Sequence, residues 1–368
     1  MPSIPVSQPD LTELELKYTS DAIQSSWISS TGPYIDRFEA EFAALCGARA
    51  SIAVANGTVA LHLALLALGV GPGDEVIVPS LTYVATANSV RYTGAVPVFV
   101  DVDPQTWCID PRLIEERITP RTKGIIAVHL YGHPADMDAL SKIADERSLW
   151  LVEDAAEAHF ARYKGRTVGG LADVGMFSFY GNKIVTSGEG GALVIDDKAL
   201  EKKARLLRGQ GMDPERRYFF PIIGYNYRLT NVACAMLCAQ LERREQIVSR
   251  RREIFRAYSD RLREVRGIGL QPVASWAEPA QWLYCITVEP EFGMDRDELA
   301  KRLLQAGVDT RPFFVPIHEL PPYQGSPAPD GLPVTGRLAR AGLNLPTYSA
   351  LKTADVDRIC SVIASLRS

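Results

Sequence analysis

Residues 50–80, "ASIAVANGTVALHLALLALGVGPGDEVIVPS", decide the fold. A short apolar run ends near Ala55, and the Asn56–Gly57 pair breaks it. Thr58 is then placed to cap a helix that reaches about Leu68. The turn residues "GPGD" close that helix, and "EVIVPS" is a second strand. Both strands are apolar throughout, without the alternation of a half-exposed strand. A sheet whose two faces are covered by helices accounts for that.

The pattern repeats along the chain. "AVPVFVDV" (95–102), "GIIAVHLYG" (124–132) and "WLVEDAA" (150–156) read as strands. "PYIDRFEAEFAAL" (33–45), "DPRLIEERI" (110–118) and "DMDALSKIADERS" (136–148) read as helices, as does a pattern over 15–30. Alternation of this kind predicts an α/β unit with a large, mostly parallel sheet of seven strands. "DVGMFSF" (173–179) and "GALVI" (191–195) lie close enough to be the one antiparallel pair. Residues 231–263 form one or two long helices. Beyond them come a strand at 282–290, a helix at 295–307, a strand at 308–314, loops over 316–336 and a helix from about Thr353. The expected division is residues 1–245 for the N-terminal segment and large domain, and 246–368 for a connecting helix and small α+β domain.

Composition narrows the function. With 46% apolar residues in 368, the chain has enough material for a large core. Its formal net charge of -4 argues against a nucleic-acid binder, and its basic clusters alternate with acids. Six scattered cysteines read as buried thiols of a reducing compartment, since only Cys234 and Cys238 are near each other. The N-terminus lacks the basic and apolar segments of a signal peptide, and no run of 18 apolar residues occurs. A cytoplasmic protein is expected.

Three features carry chemistry. Asp154 ends a strand of the parallel sheet, where such sheets place their ligands. A buried carboxylate there needs a cation or donors, and a protonated pyridine nitrogen would serve; a helix N-cap or a surface acid is the plain alternative. Asn56, Gly57 and Thr58 join a strand to a helix start, which suits one phosphate and equally suits an ordinary βα turn. It is neither a Walker A loop nor a dinucleotide fingerprint. Lys183 follows the bulky "FSFYGN" and precedes "GEGG", so another group can approach the backbone closely. Ser178 offers a hydroxyl to the same phosphate as Thr58. Phosphate clamp, pyridinium counter-ion and imine-forming lysine together meet the needs of pyridoxal 5'-phosphate.

The chain resembles the DegT/DnrJ/EryC1/StrS sugar aminotransferases, which have the aspartate-aminotransferase type I fold. The resemblance runs over essentially the whole chain, through "WISSTGPYIDRFEAEFA", "NGTVALHLAL", "GDEVIVPSLTYVATANSV", "VHLYGHPADMD", "VEDAAEA", "FSFYGNKIVTSGEGG", "LRGQGMD", "GYNYRLTN" and "GLNLPTY". It implies a Schiff-base lysine at Lys183, Asp154 on the pyridine nitrogen, and Gly57, Thr58 and Ser178 on the phosphate. Tyr83 would stack on the cofactor, and Asn226 would reach the phosphate from a second subunit of a homodimer. Glu157 stands where the wider family has glutamine beside the cofactor ring. Trp27, Ser29, Thr31, Arg228, Arg311, Phe313 and His318 are the candidate substrate contacts. His129, His133 and His159 are expected to make local hydrogen bonds.

The likeness is greatest to the subgroup that aminates C4 of GDP-4-keto-6-deoxy-D-mannose with L-glutamate as donor. A dTDP- or UDP-linked keto-deoxysugar is the alternative acceptor. Related sugar 3-dehydratases carry histidine at the lysine position, so Lys183 favours amino transfer.

Overall fold

The computed structural model describes residues 4–328 and 331–367. The quoted stretch folds as strand β1 (Ala50–Val54), helix α3 (Gly57–Leu68) and strand β2 (Glu75–Pro79), after helices α1 (Glu13–Gln24) and α2 (Pro33–Cys46). The cap of α3 differs from expectation. Asn56, in extended backbone, accepts from the Val59 amide at 3.0 Å, and Gly57 and Thr58 already belong to the helix. Asparagine thereby does the capping, and the Thr58 side chain is left for other work. Gly69 ends the helix in the left-handed conformation (φ 84°) that glycine adopts without a Cβ penalty.

The chain then runs through helix α4 (Ala85–Tyr92), β3 (Val96–Val100), β4 (Thr122–Val128), helix α5 (Met137–Arg147) and β5 (Trp150–Asp154). A small hairpin, β6 (Arg162–Tyr163) and β7 (Arg166–Thr167), leads to β8 (Val174–Ser178), β9 (Gly191–Ile195) and helix α6 (Lys198–Arg208). The large sheet has the order β1-β9-β8-β5-β4-β2-β3. Strands β3, β2, β4, β5 and β8 pair in parallel, while β9 runs antiparallel to both its neighbours. The antiparallel strand is thus the expected "GALVI". Strands β1, β2, β8 and β9 are buried along their whole length, as a two-sided cover requires.

Helix α7 (Asn231–Glu242) and α8 (Arg244–Leu262) lead into β10 (Ile268–Leu270), β11 (Ala277–Glu278), β12 (Tyr284–Val288), α9 (Arg296–Gln305), β13 (Arg311–Pro312), α10 (Pro333–Ala341), β14 (Gly342–Leu345) and α11 (Thr353–Ser365). A four-stranded sheet, β10-β12-β14-β13, carries the second core, built from residues such as Ile254, Tyr258, Ile286, Leu299, Leu343 and Ile359. We propose residue 245/246, at the start of α8, as the boundary between the two units. The chain crosses that line twice. Ile4 exchanges backbone hydrogen bonds with Gly307 and Asp309 of the second unit. Phe313, Ile317, Tyr323 and Leu338 pack back into the first core.

Three local expectations are corrected. Residues 110–118 are two 3-10 turns, Pro111–Leu113 and Glu115–Arg117, because Asp110 caps immediately before Pro111 and Ile114 is the one deeply buried side chain there. The strand expected over 308–314 shrinks to Arg311–Pro312. The expected loop over 316–336 gives way to α10 at Pro333. Its free amides at Val334 and Thr335 are taken by the two carboxylate oxygens of Asp101, at 3.0 and 2.8 Å. A cap supplied from 233 residues away leaves no local trace in the sequence.

Candidate active site

The carboxyl ends of the parallel strands open into a cavity of about 700 Å3. Several strand ends deliver side chains to it. The β1–α3 turn brings Asn56, Gly57 and Thr58; the segment after β2 brings Tyr83 and Thr86; β5 brings Asp154 and, just beyond it, Glu157; β8 brings Ser178. Lys183 enters from the turn between β8 and β9. The glycine-rich stretch after it lets this turn fold on itself. Phe179 pairs with Gly190, the Thr186 hydroxyl donates to the Phe179 carbonyl at 2.8 Å, and Gly188 adopts φ 84°.

Asp154 is deeply buried. Its Oδ2 accepts from the Thr86 hydroxyl at 2.8 Å and its Oδ1 from the Ala156 amide at 3.3 Å. Burial raises its pKa above the usual carboxylate value, against the pull of those donors and of the Lys183 charge. The backbone beneath is fixed by His129. The Ala135 amide donates to its Nδ1, so Nε2 carries the proton and gives it to Glu153 at 3.0 Å. Glu153 also accepts from the Gly169 and Leu171 amides, both at 2.7 Å, which satisfies a fully buried carboxylate. His133 bonds the neighbouring Pro134 carbonyl and also accepts from the distant Ala274 amide. His159 makes no such bond. Both its ring nitrogens lack a partner among the described residues, and burial holds it neutral with a pKa of about 3.

Glu157 accepts from the Tyr131 amide at 2.7 Å. Tyr131 sits at φ 50°, a conformation sparsely used by non-glycine residues, and this aims its N–H at the carboxylate. Burial pushes Glu157 up, and burial likewise pushes the Lys183 amine down. Glu157 and Asp154 favour the charged amine, while Arg311 opposes it. Lys183 Nζ lies 4.1 Å from the centre of the Trp282 ring.

Of the expected contacts from the second unit, Arg311 lines the cavity. Phe313 is a correction: it is buried against Trp107 and Tyr131, and its neighbour Phe314 forms the wall, 5.7 Å from the half-exposed Tyr83 ring. The Phe313 ring packs over Gly342, where a Cβ would overlap it, and the cavity side is left to Arg311, Pro312 and Phe314. His318 bonds Ser80 at 2.7 Å through Nδ1 and lies outside the lining. Trp27, Ser29, Thr31, Asn226 and Arg228 are also outside the cavity of their own chain. Arg228 donates to Asn226 at 3.0 Å. The 27–35 segment is held by Asn231, whose amide donates to the Trp27 carbonyl at 2.6 Å and accepts from the Tyr34 amide at 3.0 Å.

Thr86, Tyr131, Asn182, Trp282, Phe314 and Asn344 also line the cavity and were not anticipated. For Thr86 a signal exists: it stands three residues after Tyr83 in "TYVATANS" and so returns to the same side of the turn.

The residues fit pyridoxal phosphate. A Cβ at Gly57 would come within 2.8 Å of Ser178 Cβ, so the cradle between the two is shaped by the missing side chain. The start of α3 supplies amides for a phosphate. The buried Asp154 supplies the acceptor that a protonated ring nitrogen needs, and Lys183 brings the amine to the same cavity. Such a site on this sheet defines a pyridoxal-phosphate-dependent enzyme of fold type I.

Residues 9–364 match the DegT/DnrJ/EryC1/StrS aminotransferase family, and the chain belongs to it. The GDP-perosamine synthase of Caulobacter vibrioides is 46% identical over 364 residues, 99% of this chain and 98% of the relative. A dTDP-3-amino-3,4,6-trideoxy-alpha-D-glucose transaminase of Streptomyces venezuelae is 40% identical over 95% of this chain and 92% of its own. Among solved structures, the aminotransferase TlmJ of Streptoalloteichus hindustanus superposes with a TM-score of 0.93 at 35% identity, covering 99% of this chain and 98% of that one.

Proposed function

We propose that this chain transfers the amino group of L-glutamate to C4 of GDP-4-keto-6-deoxy-D-mannose, giving GDP-perosamine and 2-oxoglutarate. The observation that carries amino transfer is Lys183: its amine shares one buried cavity with Asp154 and Glu157. The choice of sugar is supported by the 46% identity to a GDP-perosamine synthase, against 40% to the dTDP-sugar transaminase.

Pyridoxal phosphate, when bound, supplies a carbonyl carbon for the amine and an electron-accepting ring. Gly57, Thr58 and Ser178 would hold its phosphate, Tyr83 its ring face and Asp154 its ring nitrogen. Asp154 keeps a proton on that nitrogen, since a buried carboxylate is stabilised by an adjoining cation. Lys183 Nζ removes the proton from the α-carbon of glutamate and delivers one to C4 of the sugar in the second half. Its depressed pKa makes the uncharged amine available as the base. Glu157, fixed by the Tyr131 amide, stands beside both groups and lets the charge on Lys183 return.

The working unit is a homodimer in this reading. Trp27, Ser29, Thr31, Asn226 and Arg228 lie outside their own cavity, and a second copy would receive them. Exposed apolar residues at Tyr218, Phe219, Phe220 and Ile223, just before Asn226, support that pairing. The enzyme works in the cytoplasm; among the described residues no helix is long and apolar enough to cross a membrane.

The test separates the halves. Protein loaded with pyridoxal phosphate is given L-glutamate alone, and 2-oxoglutarate is counted against enzyme. GDP- and dTDP-linked 4-keto-6-deoxyhexoses are then offered in separate reactions. One equivalent of 2-oxoglutarate followed by amination of the GDP sugar is expected. Amination of the dTDP sugar alone would contradict the assignment.

A further inference from the structure

Trp282 has no assigned part in the reaction, yet its ring is the nearest aromatic face to the lysine amine. The indole is buried, with the Lys183 ammonium 4.1 Å from the ring centre. It is also tied to the lysine's backbone, because Nε1–H donates to the carbonyl of Asn182 at 2.8 Å. The backbone of Trp282 is pinned in turn. Arg251, itself buried, donates through Nη1 to the carbonyls of Trp282 at 2.9 Å, Gln281 at 3.2 Å and Thr347 at 3.4 Å. Two of its three acceptors, the Gln281 and Trp282 carbonyls, belong to the turn carrying Trp282. Arg251, the 281–282 backbone, the indole and Lys183 form one connected set.

We propose that the face of Trp282 is the seat of the Lys183 amine. It holds the displaced amine once that amine has taken up the substrate's proton, and keeps it beside the reacting carbon as the proton carrier. Arg251 is the positioning residue for that seat. This rests on Lys183 being the catalytic lysine. Electrostatics supply the reason. A desolvated cation over an indole is attracted by the ring's negative face, which offsets part of the burial cost of the ammonium. The other groups facing the amine are Glu157 and Asp154, which favour its charge, Arg311, which opposes it, and the neutral His159. Without the ring, more of the burial cost falls on the ammonium, and the amine loses its proton at lower pH.

The test uses the cofactor-free enzyme, so that it does not depend on turnover. Acetic anhydride acylates only uncharged amines. Its rate at Lys183 across pH, read by peptide mass spectrometry against an exposed lysine such as Lys142, gives the titration midpoint. Trp282→Leu, which keeps an apolar side chain, should lower that midpoint by about one pH unit, a roughly tenfold change in the uncharged fraction. Trp282→Phe should lower it less, since a phenyl face attracts a cation more weakly. An unchanged or raised midpoint in Trp282→Leu would overturn the proposal. If the leucine variant does not fold, wild type and Lys183→Met decide. Wild-type indole emission should change through the Lys183 midpoint, and Lys183→Met should lack that change. Equal emission curves for the two proteins would overturn the seat. A lowered midpoint in a protein that transfers no amine would instead remove the proposed function and leave the seat standing.

Discussion

Thr86→Val isolates the contact that favours the ionised form of Asp154. Valine nearly matches threonine in shape, so the main change is loss of the hydroxyl that donates to Asp154 Oδ2 at 2.8 Å inside the protein. A hydrogen bond to a charged group contributes about 1.5–3 kcal/mol. The entropy of unfolding of 368 residues is roughly 0.8 kcal/mol per degree, so the cofactor-free variant should melt about 2–4 °C lower. The sign with pH follows from the raised pKa of Asp154. Folding disfavours the ionised carboxylate, so this group takes stability away as pH rises from the ordinary carboxyl range through its folded pKa. Thr86 limits that loss. Without it the folded pKa rises further, and the penalty is full only above the new value. Melting of both proteins by circular dichroism at pH 8 and pH 5 should therefore show a larger gap at pH 8. The same gap at both values would mean that the hydroxyl serves packing and not the charge, and would refute the reasoning.

Gly57→Ala places a Cβ 2.8 Å from Ser178 Cβ, and overpacking of 1–3 kcal/mol should weaken cofactor binding about tenfold in an absorbance titration. Asn231→Ala strips the 27–35 segment of the side-chain bonds to Trp27, Tyr34 and Ile35; with about 2–4 kcal/mol lost, melting should fall roughly 3–5 °C. His159 has a folded pKa of about 3, below its unfolded value, so the unfolded chain alone gains its proton as pH falls below the ordinary imidazole range. Wild type should lose up to about 1.4 kcal/mol per pH unit there from this group, and His159→Phe should show a correspondingly shallower acid slope in urea unfolding. Asp154→Asn should cut kcat/KM for glutamate by about a hundredfold or more, because a buried charge loses its counter-ion.

The parallel sheet was legible because its strands are short, apolar runs between helices, and burial on both faces dictates that pattern. The antiparallel β9 was legible because the short stretch between it and β8 is rich in glycine and carries no helical pattern. What stayed hidden depends on distant partners. Asp101 caps α10 from across the fold, so its first turn, 333–336, reads locally as loop. The 27–35 segment is shaped by Asn231, at the end of "GYNYRLTN", whose side chain gives no sign of where it reaches. In the site, Lys183, Asp154 and the Gly57–Thr58 turn were visible because each stands at a strand end with unusual neighbours. Trp282 and Tyr131 were not. The first comes from the second unit, and the second acts through its backbone amide. Phe313 was misplaced by one residue, because its packing over Gly342, 29 positions later in the chain, cannot be read locally.

The central claim is that the amino group of glutamate passes through this cavity to the sugar by way of Lys183. The direct measurement follows nitrogen. Protein loaded with pyridoxal phosphate is incubated with 15N-labelled L-glutamate and GDP-4-keto-6-deoxy-D-mannose, and the GDP-linked product is analysed by mass spectrometry. One 15N per product sugar, one 2-oxoglutarate for each, and no labelled sugar from Lys183→Ala are expected. Labelled sugar formed at the wild-type rate by Lys183→Ala, or none formed by the wild-type enzyme, would contradict that claim.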